Sequence, residues 1–324
     1  MSNSKITVKD LARICGVSIG TIDRAINNRG GINPDTKKKI LDAANEYGFV
    51  KNQNALNLSS GQSNLIGVII FNLANEFFTT LLTAIESEAG KRGYSTLIML
   101  SNYSPDAERS CVERMRSMNV AGIIVMSVIT DPDYYASLSR SGLPVVAVGN
   151  RVENIPFVGI DDFEAMKAGT AYVLSRGCKR LKYIAPLLEK APGQNISAQS
   201  ERLNGFLAAA KAAGAEYELI DSYGEYERRM VSLKDELLRD FEAGRGRTVL
   251  ICPSDTYTIR CLPLLGESCG ILGFDRLPLL GTLLPKLSSV TYPTDAIGRS
   301  AVSVLLDGGG DRILPFEIIR GETV

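Results

Sequence analysis

The stretch Thr7–Asn27, TVKDLARICGVSIGTIDRAIN, constrains the fold more than any other part of the chain, because it predicts two short helices joined by a tight turn. Thr7 is suited to cap the first helix, and Asp10 makes an acidic variant of the capping box. Gly16 lies where the turn needs a left-handed backbone, and Ser18 can cap the second helix. Six apolar residues are predicted to face inward: Leu11, Ala12, Ile14, Ile22, Ala25 and Ile26. This is the helix-turn-helix pattern, whose second helix fits a DNA groove; the alternative is a small helical bundle with chance caps.

The first sixty residues carry a net positive charge, unlike the rest of the chain. Asn33 and Pro34 predict the start of a third helix in this region, which Gly48 would close. Residues 1–60 hold nine Lys and Arg against five Asp and Glu, so nine minus five gives +4, and a net charge of zero leaves −4 for the remainder. A basic head on an acidic body favours docking on DNA phosphates. A merely solvated basic surface is the alternative.

Composition excludes several classes of protein. The 324 residues include no histidine, which rules out Ser-His-Asp and Cys-His catalysis and histidine-bound metals. The six cysteines form no CxxC pair, so we expect reduced, mostly buried thiols, no metal and no cofactor. No run of about 20 apolar residues predicts a membrane span, and the polar N-terminus lacks a signal-peptide core. We therefore expect a cytoplasmic protein.

Beyond residue 63 the sequence alternates between apolar runs and amphipathic stretches. LIGVIIF, STLIML, AGIIVM and PVVAV are short apolar runs typical of parallel strands buried on both faces, with helical stretches between them. The pattern restarts after about residue 160, with helices expected over 162–176, 200–213, 226–243 and 294–306. The prediction is an α/β core of two doubly wound parallel-sheet lobes with a ligand cleft between them. We divide the chain into a helix-turn-helix domain (1–49), a linker (50–62) and a two-lobed domain (63–324); the resemblance described below implies that the linker is a hinge and that the two-lobed domain binds an effector and dimerises.

The whole pattern resembles the LacI/GalR (lactose-repressor) family of bacterial transcription regulators, whose core is similar to periplasmic sugar-binding proteins. The resemblance rests on motifs in one order and spacing along nearly the whole chain: VSIGTIDRAINN in the head, LIGVII, NEFF at 75–78, GIDDFEAMKAG at 159–169, ERLNGF at 201–206, PSD at 253–255, GFD at 273–275 and LSSVTYP at 287–293. A segment after Asp255 is several residues shorter than is usual in the family, and Pro263 interrupts its helix.

The resemblance implies that the second helix of the head reads the major groove. Arg24 is the best candidate for a base contact, because its guanidinium can engage guanine bidentately. Ile19 could touch a thymine methyl, and Leu58 matches a hinge leucine that wedges into the minor groove. For the residues of the second helix, the alternative to DNA contact is an ordinary exposed helix residue. For Leu58, the alternative is a residue packed in the core. Lys51 stands where a proline is common in the family. The DNA-binding set expected is Thr7, Ser18, Ile19, Gly20, Thr21, Arg24, Asn27, Ala55 and Leu58.

The resemblance also implies an effector site between the lobes. Aromatic rings can lie against apolar sugar faces, while Asp and Arg side chains can hold hydroxyls. Asn150 stands where many relatives have aspartate, and Ser254 where asparagine is common, so the common sugars of the family cannot be assumed. A lobe-bridging ion pair between Arg202 and Asp275 is the alternative to a ligand role. The effector-binding set expected is Asn75, Phe77, Phe78, Asn150, Arg151, Arg202, Ser254, Asp255 and Asp275.

The sequence thus predicts a non-enzymatic repressor that binds a near-palindromic double-stranded DNA operator as a homodimer, under control of a sugar-like effector. Induction is favoured over corepression. A sugar-binding transport protein without a DNA role is the first alternative; the helix-turn-helix and the missing export signal count against it. An α/β enzyme is the second, and neither a P-loop nor a clear GxGxxG supports it.

Overall fold

The structure is a computed structural model that describes residues 6–49, 63–185, 193–221 and 226–324, with the backbone alone for 226–230. The chain divides into two compact units, Met1–Gly61 and Gln62–Val324. The predicted hinge at 50–62, with Ala55 and Leu58, lies outside the described residues.

The first unit contains three helices, α1 (Val8–Cys15), α2 (Ile19–Ile26) and α3 (Pro34–Glu46). They enclose a small core of Leu11, Ala12, Cys15, Ile22, Ala25 and Ile40. The expectation that Ile14 faces inward is wrong, since 39% of it is exposed, and Cys15 fills the interior instead. In the last turn of α1, the residue that faces the core is therefore Cys15, one position after the Ile14 that the apolar pattern predicted.

The first lobe of the second unit is built on the sheet β11-β5-β4-β3-β1-β2. Its strands are β1 (Leu65–Ile70), β2 (Ser95–Leu100), β3 (Gly122–Val125), β4 (Val145–Val148), β5 (Phe157–Gly159) and β11 (Arg312–Ile313). They pair in parallel. Helices of this lobe are α4 (Glu76–Lys91), α5 (Pro105–Ser117), α6 (Pro132–Arg140) and α12 (Thr294–Asp307). The central strands are buried on both faces as predicted; β2 differs because it is an edge strand and is partly exposed.

The second lobe repeats this plan with the sheet β12-β10-β9-β8-β6-β7. Its strands are β6 (Arg180–Ala185), β7 (Glu216–Asp221), β8 (Thr248–Ile251), β9 (Cys269–Asp275), β10 (Ser288–Thr291) and β12 (Glu317–Ile319), all parallel except the β10–β12 pair. Its helices are α7 (Asp162–Ser175), α8 (Ser197–Ala212), α9 (Tyr226–Glu242), α10 (Asp255–Cys261) and α11 (Pro278–Leu283). α8 begins three residues before the predicted start at 200.

The chain passes between the lobes three times within its described part. These crossings join β5 to α7, β10 to α12 and β11 to β12, so each lobe is completed by a distant part of the sequence. The apolar run ILPFEII is divided between two strands, because Leu314–Phe316 carries the chain from one sheet to the other.

Two sequence expectations about the second lobe and the thiols are confirmed. α10 has only seven residues and passes into a 3-10 turn at Leu262–Leu264, where Pro263 lies. The cysteines are free, and all but half-buried Cys178 are buried. No helix in the described ranges is long and apolar enough to cross a membrane.

Candidate functional site

The head forms the predicted helix-turn-helix. The Thr7 hydroxyl accepts from the Asp10 amide, and the Asp10 carboxylate accepts from the Thr7 amide, which completes the capping box. Gly16 has a left-handed backbone with φ of 66°. Ser18 Oγ caps α2 by accepting from the Thr21 amide at 3.1 Å. Local side-chain chemistry therefore fixes the angle at which α2 follows α1.

The outer face of α2 leaves one basic side chain available. Arg24 is exposed, whereas the neighbouring Asp23 is engaged by Arg29 at 3.1 Å and by the Asn27 amide at 2.6 Å. Ile19 is half exposed, and Gly20 has only the Ser18 hydroxyl within 4 Å of the place where a Cβ would stand. Because Asp23 is already neutralised by Arg29, the positive charge of Arg24 is free to face a phosphate or a base edge.

A cavity of about 330 Å³ lies between the two lobes. First-lobe loops at the carboxyl ends of β1, β3 and β4 form one wall, and the start of α8 together with the ends of β8 and β9 form the other. Its lining is Phe71, Asn72, Ala74, Asn75, Phe77, Phe78, Tyr103, Met126, Val128, Gly149, Asn150, Gln194, Asn195, Ile196, Ala198, Gln199, Arg202, Ser254, Thr256, Tyr257, Asp275 and Tyr292. Parallel sheets place binding sites at this end of their strands.

Aromatic rings dominate the first-lobe wall. Phe71 and Tyr103 stack with centroids 4.8 Å apart, and Phe77 meets Phe78 edge to face at 5.6 Å. Tyr103 has a positive φ of 60°, which is uncommon for a bulky residue. Such conformations persist where the surroundings hold them in place, often at binding sites.

The second-lobe wall is organised by the buried Arg202. Its Nε donates to Asp162 at 2.7 Å, one terminal nitrogen donates to the Pro253 carbonyl at 2.6 Å, and that nitrogen lies 3.5 Å from Asp275. The guanidinium also lies 3.9 Å above the Phe274 ring. All of these residues belong to the second lobe, so the ion pair does not bridge the lobes.

Two buried carboxyl groups, those of Asp162 and Asp275, share this one arginine, and the buried Asp255 lies close to Asp275. Burial raises the pKa of Asp162 and Asp275, although Arg202 opposes the shift. Burial and the nearby Asp275 raise the pKa of Asp255 to about 7. The Tyr292 hydroxyl donates to Asp275 at 2.6 Å, so the charge of that side chain is balanced on two sides.

Seven of the predicted effector residues line the cavity, and two do not. The Arg151 side chain turns away to Asp311 at 3.0 Å and lies over the Phe157 ring. The Asp255 carboxylate is fully buried behind the wall, where it accepts from the Leu277 amide at 2.7 Å. Both were expected in the cleft because they match effector-binding positions of the LacI/GalR family, yet closer protein partners take their side chains.

The segment 193–199, which was not predicted to belong to the site, contacts the first lobe. The Asn195 amide donates to the Val128 carbonyl at 2.7 Å, and Asn150 Nδ2 donates to the Asn195 carbonyl at 2.8 Å. Gln199 also lines the cavity and lies one helical turn before Arg202. That i, i+3 spacing was a usable signal, since it places both side chains on one face of α8.

Comparison with known families matches both units. Residues 7–52 match the family described as bacterial regulatory proteins of the lacI family. Residues 63–238, more than half of the chain, match the family described as periplasmic binding proteins and the sugar-binding domain of the LacI family.

Similar proteins are matched along nearly their whole length. The ribose operon repressor of Bacillus subtilis is 26% identical over 307 residues, covering 93% of this chain and 90% of that protein. The sucrose operon repressor of Streptococcus mutans is 27% identical, with 97% and 98% covered. The lac repressor dimer bound to operator and the anti-inducer ONPF shares the fold, with a TM-score of 0.82, 19% identity and 99% of both chains covered. The two family matches, together with the capped helix-turn-helix and the two parallel-sheet lobes, show that the chain belongs to the LacI family of DNA-binding transcriptional regulators, which are not enzymes.

Proposed function

We propose that this protein is a repressor that binds a near-palindromic operator as a homodimer and responds to a small sugar-like effector held between its lobes. The observation that carries the proposal is the combination of an exposed Arg24 on a capped second helix with a cavity lined by both lobes. The similar proteins named ribose and sucrose operon repressors support repression and a sugar-like effector.

For the operator, we propose that Arg24 reads a base and that Ile19 and Gly20 allow close approach to the groove. Ser18 and Thr21 share a hydrogen bond at 2.9 Å, and Asn27 donates to Asp23. The direct role of Ser18, Thr21 and Asn27 is therefore to position α2. The hydrogen-bonding groups that they have left over contact phosphates. Thr7 acts through the cap of α1.

For assembly, we propose that a second copy of the chain covers the apolar face of α11. Leu279 and Leu283 lie one turn apart, and their exposed fractions of 59% and 67% are large for leucine. A two-fold dimer would present two heads and explains a near-palindromic operator. The solved lac repressor, which is described as a dimer, supports this arrangement.

For control, we propose that the effector contacts Asn75, Phe77, Phe78, Asn150, Arg202, Ser254 and Asp275 and changes the angle between the lobes. Several hydrogen bonds join the lobes at the cleft. Among them, Asn75 Nδ2 donates to the Thr256 hydroxyl at 3.1 Å, and the Leu279 amide donates to the Glu76 carboxylate at 2.9 Å. An effector that competes with such bonds favours another lobe arrangement, and its affinity is then linked to that of the operator. Induction is the sign we favour.

The experiment measures operator affinity with and without a compound that raises the melting temperature of the protein. We expect the compound to change the operator Kd by about 5- to 150-fold. Asp275→Asn keeps the shape of the side chain but removes its charge, so it should bind operator normally and lose most of this response. An unchanged response in Asp275→Asn would contradict the cleft assignment, and absence of duplex binding by the wild type would contradict the proposed function.

A further inference from the structure

The protein itself occupies most of the polar groups that the sequence assigned to effector recognition. Asn75 accepts from the Phe77 amide at 2.7 Å and donates to Thr256. Asn150 Nδ2 donates to the Ser127 and Asn195 carbonyls, and its Oδ1 accepts from the Ala198 amide at 3.2 Å. These amides shape the cleft, which leaves fewer groups to recognise a ligand.

The charges at the cleft are also balanced internally. Among the described residues that line the cavity, Arg202 is the one basic side chain, and Asp162, Asp275 and the Pro253 carbonyl already surround it. A phosphate or carboxylate on the effector would therefore meet no unpaired cation among these described residues and would lie near Asp275. Bringing an unpaired anion into such a site is unfavourable, because its lost hydration is not replaced by a partner charge, so the described lining favours an uncharged effector.

Gln199 is the exception among the polar side chains of the cleft. Its Oε1 is buried and has no hydrogen-bond partner within the described residues. Burying an acceptor without a partner is unfavourable, because it loses its hydrogen bonds to water, and a ligand donor would recover that loss. The carboxamide offers an acceptor beside a donor, so it fits a group that carries a donor next to an acceptor.

The opposite wall selects for a ring. Phe77 and Phe78 and the stacked pair Phe71 and Tyr103 offer flat apolar surfaces to the cavity that Gln199 also lines. A ring compound can lay one apolar face on this wall while its polar edge reaches α8. The cavity volume of about 330 Å³ is at the small end of ligand sites.

We propose that Gln199 is the specificity-determining residue for an uncharged ring compound that presents a hydrogen-bond donor beside an acceptor. The hydroxyl pair of a monosaccharide or cyclitol and the amide-like edge of a nucleobase share this chemistry. The inference rests on the proposed function, because it concerns the effector of that same cleft.

The test is a thermal-shift and calorimetric comparison of neutral compounds with their phosphates. The probes are D-ribose, D-glucose, myo-inositol and uridine, each beside its monophosphate. We expect at least one neutral probe to stabilise the full chain and its monophosphate to bind at least about 10-fold more weakly, a difference of about 1.4 kcal/mol. Equal or tighter binding of the phosphate, or no stabilisation by any neutral probe, would overturn the proposal.

Variants at Gln199 then separate recognition from structure. Gln199→Leu removes a buried polar group without a partner, so we expect its melting temperature without ligand to match or exceed that of the wild type, while affinity for the neutral probe falls at least about 10-fold. Gln199→Glu keeps a hydrogen-bond acceptor at this position. Glu201→Leu changes an exposed position on α8 and is the matched control, which should bind the neutral probe normally.

Unchanged affinity in Gln199→Leu, or a lower melting temperature of that variant without ligand, would show that the side chain is not the recognition group. Binding of duplex DNA by the same preparations separates the two hypotheses. Loss of DNA binding by the wild type contradicts the proposed function, whereas normal DNA binding with a failed probe result contradicts this inference alone.

Discussion

At the scale of single residues, protonation of the buried Asp255 should make the free energy of unfolding depend on pH. Its Oδ2 accepts from the Leu277 amide, while its Oδ1 is buried without a hydrogen-bond partner among the described residues. Burial and the nearby Asp275 raise its pKa to about 7, against an ordinary value of 3.8. A proton on Oδ1 would relieve both the burial of the charge and the repulsion from Asp275.

The sign of the pH dependence follows from that pKa. The folded state binds a proton that the unfolded state releases from about pH 4 to about pH 7, so the contribution of Asp255 to stability falls as pH rises through this window and is constant above it. We predict that the free energy of unfolding of the wild type falls relative to that of Asp255→Asn by at most about 1.4 kcal/mol per pH unit. Urea unfolding from about pH 5 to about pH 8 measures this, and parallel curves for the two proteins would contradict it.

Residue roles set by neighbours in the chain could be predicted, whereas those set by distant partners could not. The Thr7 cap and the left-handed Gly16 depend on residues within one turn, and both are present. Arg151 was expected in the cleft, but Asp311 is 160 positions away and no local pattern reveals it as the partner. Likewise, no local pattern reveals that Leu277 is the partner of Asp255.

At the scale of elements, the close packing of α7 on α8 depends on Gly205. A Cβ at this position would lie 2.2 Å from the Phe163 carbonyl oxygen and 3.0 Å from the Lys167 nitrogen, both backbone atoms that cannot move aside alone. We predict that Gly205→Ala lowers the free energy of unfolding by about 1–3 kcal/mol or more.

Gly90 in α4 is the matched control, because a Cβ there meets nothing within 4 Å. Gly90→Ala should stabilise the protein by up to about 1 kcal/mol, since alanine favours helix over glycine. Denaturant unfolding of both variants checks the pair. Equal effects of the two substitutions would show that contact between α7 and α8 is not what Gly205 serves.

The type and order of the elements followed from apolar runs, but their sheet positions did not. LIGVII, GIIV and VVAV are buried strands as expected, because a strand between two layers of helices needs apolar residues on both faces. STLIML has a similar composition yet forms the edge strand β2. Strand order arises from long-range pairing, which the composition of one run does not encode.

At the scale of the whole molecule, the described part of the chain joins two lobes through three crossings, and a small cavity lies where they meet. A ligand there contacts both lobes and can bias their angle. The two-lobed plan was readable from the repeated β-α alternation. The hydrogen bonds that join the lobes were not, because they unite residues such as Asn150 and Asn195 that are 45 positions apart.

The central claim is that the head reads a specific near-palindromic operator through α2, and selection from a random duplex library by the full chain tests it most directly. We predict enrichment of a sequence with two inverted half-sites, since a two-fold dimer presents two copies of Arg24. Arg24→Ala should enrich no sequence while keeping weak, salt-dependent binding to any duplex. Failure of the wild type to enrich an inverted repeat, or enrichment of the same repeat by Arg24→Ala, would contradict the claim.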